Sequence, residues 1–273
     1  MRRTIFNILP LVLLYSLLLL PIKVNSQPLR GTTGLLHAPT AEMQADKTFM
    51  FGGNVLDITP LHYYKMDVKY TFNYFINFTF FPWFELGYTC TINYANQGSA
   101  YFPKQSWGKY TNQDRSFNAR FRLWKEGWWK PWTPQIVLGF DDPGTHEYYG
   151  GGNINFNGGG NAWFTRYYLA ATKHFDFTNI GTLGAHLSFI ANRPSNWKAF
   201  NRPAAGTNFR FTLPEVSTLY KAINGLDLMA EYDAQTVNVG AQYHILKDNI
   251  NLVAELNDGK YFSGGIFFRI QLK

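Results

Sequence analysis

The stretch Asp114-Arg-Ser-Phe-Asn-Ala-Arg-Phe-Arg-Leu-Trp124 restricts the possible folds more than any other part of the chain. Taken at every second residue, it separates into an apolar set, Phe117, Ala119, Phe121 and Leu123, and a polar set, Asn118, Arg120 and Arg122. A period of two belongs to a strand whose faces meet different surroundings. Two arginines cannot face hydrocarbon cheaply, and a row of aromatic rings is not left in water. Such a strand fits either a sandwich core or a barrel wall with lipid outside and a polar interior.

The pattern recurs. Phe72, Tyr74, Ile76, Phe78 and Phe80 alternate with Asn73, Asn77 and Thr79, and Pro82 breaks that strand. Next, Phe84, Leu86, Tyr88, Cys90, Ile92 and Tyr94 alternate with Glu85, Gly87, Thr89, Thr91 and Asn93. A tilted strand crosses a bilayer in about 9 to 11 residues, and this one is long enough. Later, Val237, Val239, Ala241, Tyr243 and Ile245 alternate with Asn238, Gly240, Gln242 and His244. Strands are expected at residues 47–56, 72–80, 83–94, 114–124, 134–141, 163–174, 180–191, 206–213, 226–233, 237–246, 249–256 and 261–272. That makes about twelve, an even number, as single-chain bacterial barrels have. One short helix is expected at 215–222.

Connection lengths agree with a barrel. The long segments 57–71, 95–113, 142–162 and 192–205 are odd-numbered connections, which face outward from the cell when both barrel termini are periplasmic. Two even connections, 125–133 and 214–225, are longer than turns.

A soluble sandwich would carry many Lys and Glu on its wet faces. Here the polar faces hold Asn, Gly, Thr, Gln and Tyr, with scattered charges of both signs: Glu85, Arg120, Arg122, Arg166, Glu231, Asp233, Glu255 and Arg269. That mixture suits a lumen filled by paired side chains, closed rather than open. Glu231 and Asp233 either bind sugar hydroxyls or a cation, or pair with the arginines across the lumen. Trp83, Trp124, Trp128, Trp129, Trp132 and Trp163 lie near expected strand ends, like interfacial girdles. The final alternation of Ile266, Phe268, Ile270 and Leu272 suits a closing strand, although Lys273 stands where such barrels commonly end in an aromatic residue.

At the N-terminus, Arg2 and Arg3 precede an apolar run from Ile5 to Ile22, followed by Val24-Asn25-Ser26. This reads as a signal peptide, residues 1–26, removed on export. Without it 22 basic and 18 acidic residues remain, and no Lys/Arg-rich run survives, so nucleic acid is not an expected partner. Residues 27–46 read as an ordered periplasmic segment leading into the barrel, which occupies 47–273. The expected fold is therefore all-β, a transmembrane antiparallel β-barrel in the outer membrane, in contact with outer-membrane lipid.

Chemistry is sparse. Cys90 stands alone, which excludes a disulfide and a thiolate cluster. His37, His62 and His146 lie in loops, and His174, His186 and His244 on strands, without metal-ligand spacing or a nucleophile elbow. Ser188 shares a face with His186, as period two gives in any strand. The turn from Asp141-Asp142 to Thr145 offers too few oxygens for calcium. No catalytic residue, metal or cofactor is expected. The loop aromatics Tyr101, Trp107, Tyr110, Tyr148 and Tyr149 are candidates to stack on sugar rings, or to pack the loops over the mouth.

Several motifs in order carry a family resemblance. They are Gly34-Leu-Leu-His-Ala-Pro-Thr-Ala41, Asn77-Phe-Thr-Phe-Phe-Pro-Trp-Phe-Glu85, Asp114-Arg-Ser-Phe117 with Phe121-Arg-Leu123, Val137-Leu-Gly-Phe-Asp-Asp-Pro-Gly-Thr145, Tyr168-Leu-Ala-Ala-Thr-Lys173 and Gly225-Leu-Asp-Leu-Met-Ala-Glu-Tyr-Asp233. Together they resemble the YjbH-like family. The resemblance implies an outer-membrane barrel associated with exopolysaccharide or capsule production and export, with exopolysaccharide and polysaccharide-export proteins as partners. An accessory, non-enzymatic role is expected. The alternatives are a passive porin or structural surface barrel, and an outer-membrane hydrolase.

Overall fold

The computed structural model describes residues 31–56, 71–98, 103–143, 166–192 and 200–272. Among them twelve antiparallel strands close into one barrel, each paired with its neighbours in the chain and the first with the last. They are β1 (Thr48–Leu56), β2 (Thr71–Phe81), β3 (Phe84–Tyr94), β4 (Tyr110–Trp124), β5 (Gln135–Asp141), β6 (Arg166–Phe177), β7 (Gly181–Asn192), β8 (Phe200–Phe211), β9 (Leu226–Tyr232), β10 (Val237–Ile245), β11 (Ile250–Asn257) and β12 (Tyr261–Gln271). The seam between β1 and β12 runs from Thr48↔Gln271 to Val55↔Gly264. No helix of the described residues is long and apolar enough to cross a membrane.

Burial is inverted relative to a water-soluble protein. On β11, Leu252 and Leu256 are each 42% exposed, whereas Asn251 is 0% and Glu255 2% exposed. Phe117, Leu187 and Phe262 point outward at 59–60% exposure, while Arg120, Asn238 and Gln242 are fully enclosed. The alternation therefore resolves into an apolar outside and a polar inside, with Met50, Phe75, Val137 and Phe267 as inward apolar exceptions. Cys90 lies on β3 as a buried free thiol.

The outward rings join laterally. At the end where β1 begins and β12 finishes, ring centroids lie 4.3 Å apart for Phe78 and Phe80, 5.3 Å for Phe81 and Trp83, and 4.9 Å for Phe84 and Phe121. Phe51 stacks on Phe268 across the seam at 5.1 Å. This end also carries the tight β2–β3, β6–β7 and β10–β11 turns.

Three strand boundaries differ from the sequence pattern, for one reason. β4 begins at Tyr110, not Asp114, and its first residues pair with β3 alone, since pairing with β5 starts at Asn118↔Asp141. β8 begins at Phe200, not residue 206, and its start pairs with β7 alone. Pro203 is tolerated there because no second strand asks for its missing N–H. β6 runs on to Phe177 because β7 pairs with it to the turn, Phe177↔Gly181. The expected helix is α1 (Thr218–Ile223), which starts where Ser217 Oγ accepts the N–H of Tyr220 at 3.2 Å.

The β10–β11 turn places Leu246, Lys247 and Asp248 at φ 49, 56 and 70°. Three consecutive left-handed non-glycine residues are costly and persist only where surroundings hold them. Here Asp248 is the fastening: its carboxylate takes Arg210 Nη2 at 2.6 Å and lies 3.3 Å from His244 Nδ1.

Residues 1–26, expected to be a signal peptide, the segment 57–70, the loop 144–165 with Tyr148, Tyr149 and Trp163, and Tyr101, His62 and His146 lie outside the described residues.

Candidate functional site

The lumen is not empty. Residues 31–44 are buried throughout although none belongs to a strand, and the chain surfaces only at 45–47 before β1. The segment expected to lie on the periplasmic side before the barrel therefore sits within it. Its backbone polar groups have no ladder to join, and a buried N–H or C=O must find a partner. The wall supplies those partners.

On β9, Glu231 accepts the N–H groups of Leu36, His37 and Ala38 at 3.0, 2.7 and 3.0 Å, and Asn238 Nδ2 at 3.0 Å. On β3, Glu85 accepts Thr33 N–H at 3.1 Å and Thr33 Oγ1–H at 2.8 Å. These strands face each other across the barrel, six steps apart in either direction. The segment thus spans the lumen from wall to wall. Arg120 on β4 donates to the carbonyls of Thr33 and Thr40. Arg166 on β6 donates to His37 O at 2.6 Å and pairs with Asp141 at 2.5 Å. Gln135 donates to Ala41 O, and Ala41 N–H donates to Thr172 Oγ1 at 2.9 Å.

Side chains add to the fit. Leu35 and Leu36 fill hollows left by inward glycines: a Cβ at Gly206 would lie 2.4 Å from Leu35 Cδ1, and one at Gly240 would lie 2.9 Å from Leu36 Cδ1. Gly31, at φ 80°, passes under Phe75 where a Cβ would lie 2.5 Å from the Phe75 Cβ. His37 Nε2 meets Glu255 at 2.8 Å.

Where the segment leaves the lumen, His174 lies between Glu42 at 2.7 Å and Glu126 at 2.6 Å, and Lys173 reaches Glu126 at 2.7 Å. Glu126 belongs to the β4–β5 connection, so this cluster fastens segment, wall and loop together. Burial alone would raise the Glu126 pKa. The hydrogen bonds from His174 and Lys173 outweigh that and hold it down at about 2.

The expected charged network is only partly one network. Glu85, Arg120, Arg166, Glu231 and Glu255 all face the lumen and hold the N-terminal segment. Glu231 makes no ion pair with an arginine among the described residues, contrary to the cross-lumen pairing considered for it; backbone N–H groups occupy its oxygens. Arg269 approaches Asp248 at 3.8 Å and belongs to the turn fastening instead. Arg122 is half-buried near the rim. Asp233 falls past the end of β9, where Oδ1 caps the β9–β10 turn by accepting Gln235 and Thr236 N–H at 2.9 and 2.8 Å.

Of the loop aromatics, Tyr110 starts β4 and packs edge-on against Phe72 and Tyr94 at 5.5 and 5.1 Å, in the outer belt and not over the mouth. Trp107 is half-buried after a short 3-10 turn, Lys104–Ser106. His186 is held by Thr172 and Asn208, each at 2.9 Å, and not by Ser188. No group of three His, Cys, Asp or Glu among the described residues is arranged to hold a metal. The sequence pattern missed Glu42, Glu126 and Gln135. Its one available signal was Leu35-Leu36, an apolar pair inside a Gly/Pro/Thr-rich loop.

Chemically, the lumen offers carboxylates to N–H donors and guanidinium groups to carbonyls, with its charges largely paired. It is built to hold a polar chain in place.

A likeness to a solved structure, the β domain of the Bordetella autotransporter BrkA, covers 84% of this chain and 100% of that one, at 10% identity and a TM-score of 0.35. The Escherichia coli (strain K12) protein described as "Uncharacterized lipoprotein YjbH" is 29% identical over 153 residues. That stretch is 54% of this chain and 17% of the relative, so less than a fifth of the relative is matched. The family model described as "Exopolysaccharide biosynthesis protein YbjH" matches residues 26–273, from before the lumenal segment through the last strand. The chain belongs to this YjbH family of exopolysaccharide biosynthesis proteins.

Proposed function

We propose that this chain is an outer-membrane barrel, exported by a cleaved signal peptide, that serves exopolysaccharide production, export or surface retention as a non-enzymatic accessory and not as an open pore. The observation that carries the reading is the occupied lumen: residues 31–44 are buried and tied to opposite walls through Glu85 and Glu231. A diffusion porin keeps a water-filled channel, whereas narrower barrels fill theirs with side chains or a plug. The exposed apolar belt supports lipid on the outside, and the family supports the link to polysaccharide.

The test combines cells and bilayers. Cell-associated and secreted polymer are assayed separately in a deletion strain, complemented with the intact chain or with one lacking residues 31–44. Both proteins are also inserted into planar bilayers. Polymer lost or redistributed on deletion and restored by the intact protein, which stays electrically silent while the shortened one conducts, is the expected outcome. Steady conductance by the intact protein with unchanged polymer would overturn it in favour of a porin. Failure of a His186→Ala variant with an intact barrel to restore polymer would point to a hydrolase.

A further inference from the structure

The β4–β5 connection, residues 125–134, is longer than its position at the short-turn end requires. Its sequence, Lys125-Glu-Gly-Trp-Trp-Lys-Pro-Trp-Thr-Pro134, carries three tryptophans, two lysines and one acid. Trp128, Trp129 and Trp132 are 67, 66 and 64% exposed, above every other ring of the described residues. Leaving three indoles in water is unfavourable by the area they expose, so a surface that keeps them out has something to cover them.

The loop is held in shape. Gly127 N–H donates to Thr133 O at 3.0 Å, Trp128 N–H to Lys125 O at 3.2 Å and Thr133 N–H to Lys130 O at 2.9 Å. Its one acid is turned away from the surface, because Glu126 is engaged by Lys173 and His174. The charges left outside are those of Lys125 and Lys130, both exposed. Lys130 Nζ lies 4.8 Å from the Trp129 ring centroid, which puts a cation and an indole side by side.

The loop is also continuous with the outer belt. A register shift between Arg122 and Trp124 brings Trp124 opposite Ile136. Trp128 then packs on Trp124 at 5.1 Å. Beside them lie Phe121, Phe84 and Trp83, and Trp129 sits 6.1 Å from Trp132. Indoles adjoining a hydrocarbon-facing wall, with lysines among them, match the chemistry of a headgroup layer: apolar on one side, phosphate on the other.

We propose that residues 125–134 form a phospholipid-binding loop, in which Trp128, Trp129 and Trp132 enter the headgroup region of the periplasmic leaflet and Lys125 and Lys130 meet lipid phosphates. The proposal rests on the outer-membrane reading above, and its test separates the two.

The full-length protein is reconstituted in vesicles of phosphatidylethanolamine and phosphatidylglycerol, with a fraction of the acyl chains brominated at a shallow or a deep position. Tryptophan emission is compared between the wild type and a Trp128→Phe/Trp129→Phe/Trp132→Phe variant, which keeps the apolar bulk. Trp107, Trp163 and Trp197 are replaced by Phe in both proteins, so that the difference signal reports the loop and the remaining Trp83 and Trp124 report the wall. The expected result is a blue-shifted difference signal, quenched mainly by shallow bromine and little by aqueous iodide. Lys125→Gln/Lys130→Gln should lessen that quenching in vesicles containing phosphatidylglycerol, and not in neutral ones. If the wall tryptophans are quenched by bromine while the loop signal is quenched only by iodide, the loop lies in water and the proposal falls with the barrel reading intact. Protection from iodide that appears only on adding exopolysaccharide would overturn it in favour of a glycan platform. If neither set responds to bromine, the membrane reading itself fails.

Discussion

Glu231→Gln should damage the protein far more than a nearly isosteric change suggests. The two carboxylate oxygens serve four donors. Oε2 takes Leu36 and Ala38 N–H at 3.0 Å each, and Oε1 takes His37 N–H at 2.7 Å and Asn238 Nδ2 at 3.0 Å. Glutamine offers one oxygen and an NH2 group. Whichever way the amide turns, two donors lose their acceptor and face another donor. A buried polar group left unsatisfied costs about 1–3 kcal/mol, so two should cost about 2–6 kcal/mol. Urea unfolding of the protein in vesicles, followed by tryptophan emission, should show the midpoint falling by that free-energy loss divided by an unchanged slope. Glu231→Ala removes both oxygens, and with them the acceptors of all four donors, but leaves space for water to take their place. The N-terminal segment should also become cleavable by added protease in the glutamine variant. A glutamine variant within about 0.5 kcal/mol of wild type, the scatter of harmless substitutions, would refute the role assigned to Glu231.

Three further outcomes follow from the geometry. Gly206→Ala, which drives a methyl group to 2.4 Å from Leu35 Cδ1, should destabilise by the roughly 1–3 kcal/mol of an overpacked site, and Leu35→Ala should recover part of that loss, as measured by a double-mutant cycle. Glu126, held at about 2 against an ordinary 4.5, binds fewer protons in the folded state, so its contribution is full above pH 4.5 and is lost as pH falls toward 2. Melting temperatures of wild type and Glu126→Gln should therefore differ at neutral pH and converge at the acid end. Burial would raise the Asp248 carboxyl, but contacts from His244 and Arg210 outweigh it and hold it well below the ordinary range; Asp248→Ala should cost about 3–5 kcal/mol and lower the urea midpoint, because it leaves Arg210 uncompensated and frees a strained turn.

The wall was legible in the sequence because it is governed by a local rule. Phe117, Phe121 and Leu123 against Arg120 and Arg122 announce two solvents, and a pleated strand converts that alternation directly into outside and inside. Strand ends were less legible where a strand outruns a neighbour: Pro203 looks like a breaker until β8 is seen to have one partner there. The content of the lumen was not legible. Residues 31–44 have no period, and their place is set by Glu231, Glu85, Arg120 and Arg166, which are distant in sequence and carry no mark of what they bind. Glycine at 206 and 240 is equally silent, because nothing local says that a leucine from the other end of the chain needs the room.

The longest-range contacts of the lumenal segment join residues 193 to 218 positions apart, from Leu36, His37 and Ala38 to Glu231, and from His37 to Glu255. Translation delivers the N-terminal party first, and the acceptor for the Leu36, His37 and Ala38 amides arrives only with β9, and the partner of the His37 ring only with β11. Until then those three amides have no acceptor, and loop closure over such a separation is slow to be rewarded. Completion of the interior is thereby tied to arrival of the C-terminal strands. A chain cut short before β9 would be left with its early residues unhoused and open to the proteases that clear unfinished chains.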